Sequence, residues 1–142
     1  MNKYLELKNK HEKELNEFPI KFAFGNEQFK EMMKDFGLTE NDTDKIVSIG
    51  FGGYVKKENL KAMEELFKSQ ADEMKQAFND DEFLESAFNY EMGNHEYIIT
   101  YDKADVFRAL GLSIKSLDDE RVYNIFKKAE NKYLEDMEKL GW

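Results

Sequence analysis

The sequence predicts an α+β domain, a small, mainly antiparallel sheet of four short strands packed with five or six helices. Three observations predict it. Most of the chain repeats apolar residues at spacings of three and four, the period of a helix buried on one face. Four short segments instead alternate in polarity or run as β-branched and aromatic residues between turn formers. The apolar supply is Phe, Leu, Met and Tyr more than Val and Ile, which favours helix over extensive sheet.

At 142 residues, with 41% hydrophobic and 14% aromatic residues, the chain can bury a core despite being 36% charged. Tyr4, Leu7, His11, Leu15 and Phe18 predict a helix over about residues 3–16. His11 lies on this stripe and reads as a packing residue at the core boundary rather than a ligand. Pro19 stops the helix. Phe18, Ile20, Phe22 and Phe24 then alternate with Pro19, Lys21 and Ala23, the pattern of a half-buried strand. Gly25-Asn26 turns the chain, with Asn26 as N-cap. Phe29, Met32, Met33 and Phe36 line the next helix, which Gly37-Leu38 ends.

After the polar loop Thr39 to Asp44, Ile46, Val47 and Ile49 face Tyr54-Val55 across Gly50-Phe51-Gly52-Gly53, a predicted β-hairpin. Leu60, Met63, Phe67, Ala71, Met74 and Phe78 mark a long helix over about 58–78. Asn79-Asp80-Asp81 breaks it, and Phe83, Leu84, Ala87 and Phe88 mark a short acidic helix. Tyr97 to Tyr101 reads as the fourth strand. Ala104, Phe107 and Leu110 predict a short helix ended by Gly111, and Val122 through Leu140 a last helix over about 117–139. Phe22, Phe24, Phe29, Phe67, Phe107 and Phe126 are expected to share one core, and no linker marks a domain boundary within 1–142. A weak repeat joins Phe22–Leu38 to Ile99–Leu112: strand, polar turn, helix with an early Phe, then Gly-Leu.

The net charge is −9, and it is unevenly placed. Residues 62–96 carry 2 Lys against 10 Asp and Glu. No basic cluster appears, so direct nucleic-acid binding is not expected, and a protein partner with a basic surface is the better electrostatic match. With no cysteine, disulfides and thiolate metal sites are excluded. No run is long enough to span a bilayer and no signal-peptide pattern opens the chain, so a cytoplasmic protein is expected.

Three places carry candidate function. Asn89, Glu91, Asn94, His95 and Glu96, with Asp102 beyond, concentrate polar groups where a helix is expected to meet a strand. His95, Glu96 and Glu91 offer an acid–base pair or metal ligands, yet no His-Glu-x-x-His is formed, and a hydrogen-bonded structural junction is the simpler reading. No metal or other cofactor is assigned. The glycines at 50–53 meet neither the phosphate-loop nor the dinucleotide pattern, which leaves a turn that presents Phe51 and Tyr54 to a partner. Asp80, Asp81, Glu82 and Glu85 have no cation at helical spacing and sit at a helix start, either solvated or facing a partner.

Phe18 through Phe24, Gly50 through Tyr54, Phe88 through Glu91 and Asn94 through Tyr97 together resemble a family of small acidic proteins of unknown function from Gram-positive bacteria and their phages and plasmids. The likeness spans most of residues 1–112 and implies a mobile-element context, in which small acidic proteins often inhibit host defence enzymes. The expected function is therefore an interaction protein, with a phage- or plasmid-encoded inhibitor as its sharpest form. The alternatives are a small metal-assisted enzyme or ligand-binding protein using His95, Glu96 and Glu91, and an oligomeric accessory protein.

Overall fold

The computed structural model describes residues 2–142. Its helices are α1 (Lys3–Glu17), α2 (Asn26–Asp35), α3 (Leu60–Ala77), α4 (Asp81–Asn94), α5 (Tyr97–Thr100), α6 (Lys103–Ala109) and α7 (Glu120–Lys139). The strands are β1 (Ile20–Phe22), β2 (Ile46–Gly50) and β3 (Gly53–Lys56). The chain forms two compact units, Asn9–Glu73 and a second that unites the start of the chain through Lys8 with Met74–Trp142. Both divisions fall inside helices, α1 and α3, which is why no linker composition marks them.

The unit Asn9–Glu73 holds the sheet, in the order β1-β3-β2 and antiparallel throughout. Ile20 pairs with Val55 and Phe22 with Gly53, while Ile46 pairs with Lys56 and Val47 with Val55. Ala23, Met32, Met33 and Phe36 make its small core, with Phe29, Leu38, Ile46 and Tyr54 packed on it. The stripe predicted for α2 therefore lies where expected. Its capping differs: Gly25 is the N-cap and Asn26 the first helical residue, with no side-chain cap.

The other unit is helical. Phe88, Phe107 and Phe126 pack ring to ring at 5.1–5.3 Å and are fully buried. Tyr4, Leu84, Met92, Tyr97, Val106, Ala129 and Tyr133 extend this core. The six phenylalanines expected together are thus divided. Phe107 and Phe126 sit here and Phe29 packs against the small core, whereas Phe22, Phe24 and Phe67 are exposed.

The fold class remains α+β, but among the described residues the expected four-stranded sheet has three strands, and seven α-helices stand where five or six were expected. Tyr97–Thr100 is a single helical turn. Glu96 and Tyr101 bracket it in the left-handed region, at φ 52° and 49°. Tyr97 is buried, while Ile99 and Tyr101 are more than half exposed, so the alternation a strand needs is absent. The turn is anchored to α7: the Tyr97 hydroxyl donates to Glu130 at 2.6 Å, and the Ile98 amide donates to the Tyr133 hydroxyl at 3.0 Å. These tertiary bonds override the β-branched propensity. The weak repeat reduces to its helix endings. At Gly37 and Gly111 the chain adopts positive φ, and the two following amides bond back across the last turn, Leu38 to Met33 and Leu112 to Phe107, in a Schellman motif.

Candidate functional site

The polar cluster at the end of α4 is built around a buried charge. Glu91 is 1% exposed and lies one turn beyond Ala87 and Phe88, on the apolar face of α4. Its Oε1 accepts from the Tyr4 hydroxyl at 3.0 Å and from Lys8 Nζ at 3.3 Å. Its Oε2 accepts from Asn94 Nδ2 at 3.4 Å and faces His95 Nε2 at 3.3 Å. Lys8 also lies over the rings of Tyr4 and Tyr90, at 5.5 and 5.6 Å. Burial, the Glu91 charge and the hydrogen bond together push the Tyr4 hydroxyl far above the usual phenol range. Both oxygens of Glu91 are thus committed to partners, so the arrangement ties the start of α1 to the end of α4. Of the six predicted cluster residues, Glu91, Asn94 and His95 converge. Asn89 instead donates to the Ala129 carbonyl at 3.3 Å, Glu96 forms the left-handed bend, and Asp102 caps α6 through the Ala104 amide at 2.9 Å.

A second buried carboxylate escaped the sequence reading. Glu130 accepts from Tyr97 at 2.6 Å and from Lys127 Nζ at 2.7 Å. Burial alone would raise its pKa, but the bonds from Lys127 and Tyr97 outweigh that and hold it below the ordinary carboxylate value. Its signal was present in the sequence: Glu130 falls between Phe126 and Tyr133 on the buried face of α7, where an unpaired charge is not tolerated.

The acidic start of α4 is less bare than local spacing suggests. Asp80 is the N-cap and accepts from the Phe83 amide at 2.9 Å. Asp81 pairs with Arg121 Nε at 2.7 Å, and Glu85 lies 3.7 Å from Lys128 Nζ. Both cations come from α7, about forty residues away. Glu82 alone of the four has neither an ion pair nor a capping bond among the described residues.

The hairpin tip is exposed and aromatic. Phe51 and Gly52 occupy the two central positions of the β2–β3 turn, with φ 53° and 77°, the sign a two-residue hairpin requires. Phe51 is 98% exposed. Beside it, Phe24 and Phe22 are exposed and their rings stack at 6.4 Å, 9° from parallel. The Phe24 ring covers Gly52 so closely that a Cβ there would clash with it. Tyr54 does not join this tip; it packs edge-on against Phe29 at 5.8 Å, in the small core.

His11, expected as a packing residue, instead places Nε2 2.7 Å from Glu73 Oε1. Glu14 lies beside them, and Lys10 Nζ reaches the other Glu73 oxygen at 2.8 Å. The partner is 62 residues away in sequence, beyond the reach of any helical spacing.

Residues 3–132 match the family described as "Family of unknown function (DUF7659)". The chain belongs to this family. The family segment takes in the hairpin tip, the start of α4 and the Glu91 junction, and it ends within α7. No curated protein and no solved structure matches the chain. Membership in the family assigns no residue a role, so the chemistry of each site rests on its geometry. Among the described residues, no helix is long and apolar enough to cross a membrane.

Proposed function

We propose that this chain is a protein-binding domain that grips a basic partner surface with the aromatic tip of its β2–β3 hairpin. One observation carries the reading. Phe51 combines a left-handed backbone conformation, which L-residues adopt at a cost, with almost complete exposure of its ring. The positive φ costs about 1–3 kcal/mol, and the exposed ring gains nothing from burial in return. Glycine would make the same turn without strain. A partner pocket that buries the ring supplies the missing compensation, and exposed Phe22 and Phe24 widen the anchor.

Charge sets the partner's sign. The chain carries −9 overall, and Phe22 lines a cleft in which Glu31 and Asp35 outnumber the single cation, Lys21. Rim carboxylates steer a basic surface toward the tip, while the aromatic rings hold it. A phage- or plasmid-encoded inhibitor of a cytoplasmic defence enzyme, the role the sequence resemblance implies, is one form such a domain takes. The acidic start of α4 is a weaker candidate surface, because Arg121 and Lys128 neutralise part of it.

The test compares capture by the native chain with capture by Phe51→Gly and by Phe22→Ser/Phe24→Ser. The expected result is a captured protein that both variants lose, with Phe51→Gly folded to at least native stability. Retention of the same partner at native affinity by both variants would refute the reading.

A further inference from the structure

We propose that His11, Glu14 and Glu73 form a binding site for a divalent transition-metal ion, with zinc the ion their donor set suits. The three residues each aim one ligand atom into the same space, all within 4.8 Å of one another. His11 and Glu14 are separated by three positions on α1, so they share a face of that helix, and Glu73 comes from α3. Rigid helices hold all three.

Charge counting favours a cation here. Two carboxylates flank one imidazole, and a single lysine attends them. Lys10 reaches only Glu73 Oε2, at 2.8 Å. Glu14 has no ion-pair partner among the described residues; its Oε1 accepts from the neutral amide of Gln70 at 3.2 Å. The same amide nitrogen donates to the His11 carbonyl at 3.1 Å, so Gln70 fixes the Glu14 carboxylate against the His11 backbone. A metal-ligating carboxylate usually has such an outer partner. The His11 side chain is 12% exposed and Glu73 is 42% exposed, which shelters the imidazole and leaves an approach from solvent.

One nitrogen and two carboxylate oxygens, with a water as fourth ligand, make a tetrahedral zinc set with an open position. Zinc distances near 2.0–2.2 Å put such donors about 3.4 Å apart. The His11–Glu73 bond at 2.7 Å must open, and Glu14 must close from at most 4.8 Å. Both are shifts on the order of 1 Å, which side-chain rotation supplies. Lys10 sits on the other oxygen of Glu73, where its charge opposes the ion.

The experiment titrates zinc chloride into the metal-stripped, untagged full chain by calorimetry, with thermal melts on the same samples. One saturable ion per chain and a rise in Tm are expected. His11→Gln, which keeps a hydrogen-bonding side chain beside Glu73, should abolish both. Gln70→Ala should weaken binding about tenfold or more. Lys10→Met should tighten it several-fold. His95→Ala should bind as the native chain does, since His95 faces Glu91 and not this cluster. Absence of saturable binding overturns the proposal, and so does binding that survives His11→Gln or fails in His95→Ala.

Discussion

Replacing Glu91 tests whether the polar cluster after α4 is a fold-holding charge. In Glu91→Ala the Tyr4 hydroxyl, 2% exposed, loses its acceptor. Stranding a buried hydroxyl costs about 1–3 kcal/mol. Lys8 and His95 are 41% and 34% exposed, so both can turn to water and add little. The void left by the side chain adds to the Tyr4 cost, which places the total near 3 kcal/mol, the low end for a broken buried pair. Glu91→Gln keeps an acceptor for Tyr4 and the same volume, and should cost only about 1–2 kcal/mol. Tyr4→Phe removes one charge-assisted bond while three partners remain, a loss of about 1.5 kcal/mol. Tyr4 and Glu91 touch, so the double variant should fall short of the summed single effects by about 1 kcal/mol. Urea unfolding followed by circular dichroism and by Trp142 fluorescence reads all four. A Glu91→Ala cost below about 1 kcal/mol, equal costs for Ala and Gln, or strict additivity with Tyr4→Phe would refute the reasoning.

Three further outcomes follow from the structure. The Tyr4 and Tyr97 hydroxyls are held above their ordinary value by burial and by bonds to Glu91 and Glu130, so the stability they contribute is complete below about pH 10 and is lost as pH rises further; an absorbance titration should show both phenols ionising only as the chain unfolds. Glu130 has the opposite sign: its folded value lies below the ordinary 4.5, so its contribution is present above that pH and is lost as pH falls through the folded value, and Glu130→Gln should flatten the acid limb of a stability–pH profile. Phe107→Ala should cost about 3–5 kcal/mol because the ring is fully buried, whereas Phe22→Ala, with its ring 58% exposed, should cost under about 1 kcal/mol; equal losses in urea melts would contradict the division between core and surface.

What the sequence determined by itself was local. The stripe of Met32, Met33 and Phe36, the hairpin around Gly50–Gly53, the Asp80 helix start and the Gly-Leu helix endings each depend on residues within a few positions of one another. Periodicity and turn chemistry act over that range, so these elements were legible, and with them the α+β class. What only the tertiary structure decided depends on partners far along the chain. Tyr97–Thr100 carries strand-forming residues but is a helical turn because Glu130 and Tyr133, over thirty residues away, hold it. Glu91 looks like a surface charge until Tyr4, 87 residues earlier, is seen to donate to it. Asp81 and Glu85 look unpaired until Arg121 and Lys128 arrive on α7, and His11 looks like packing until Glu73 meets it. Phe22 and Phe107 both sit on apolar stripes, yet one faces solvent and one the core. A stripe shows that a face is apolar; which faces are covered, and which charges are matched, depends on the packing of distant elements.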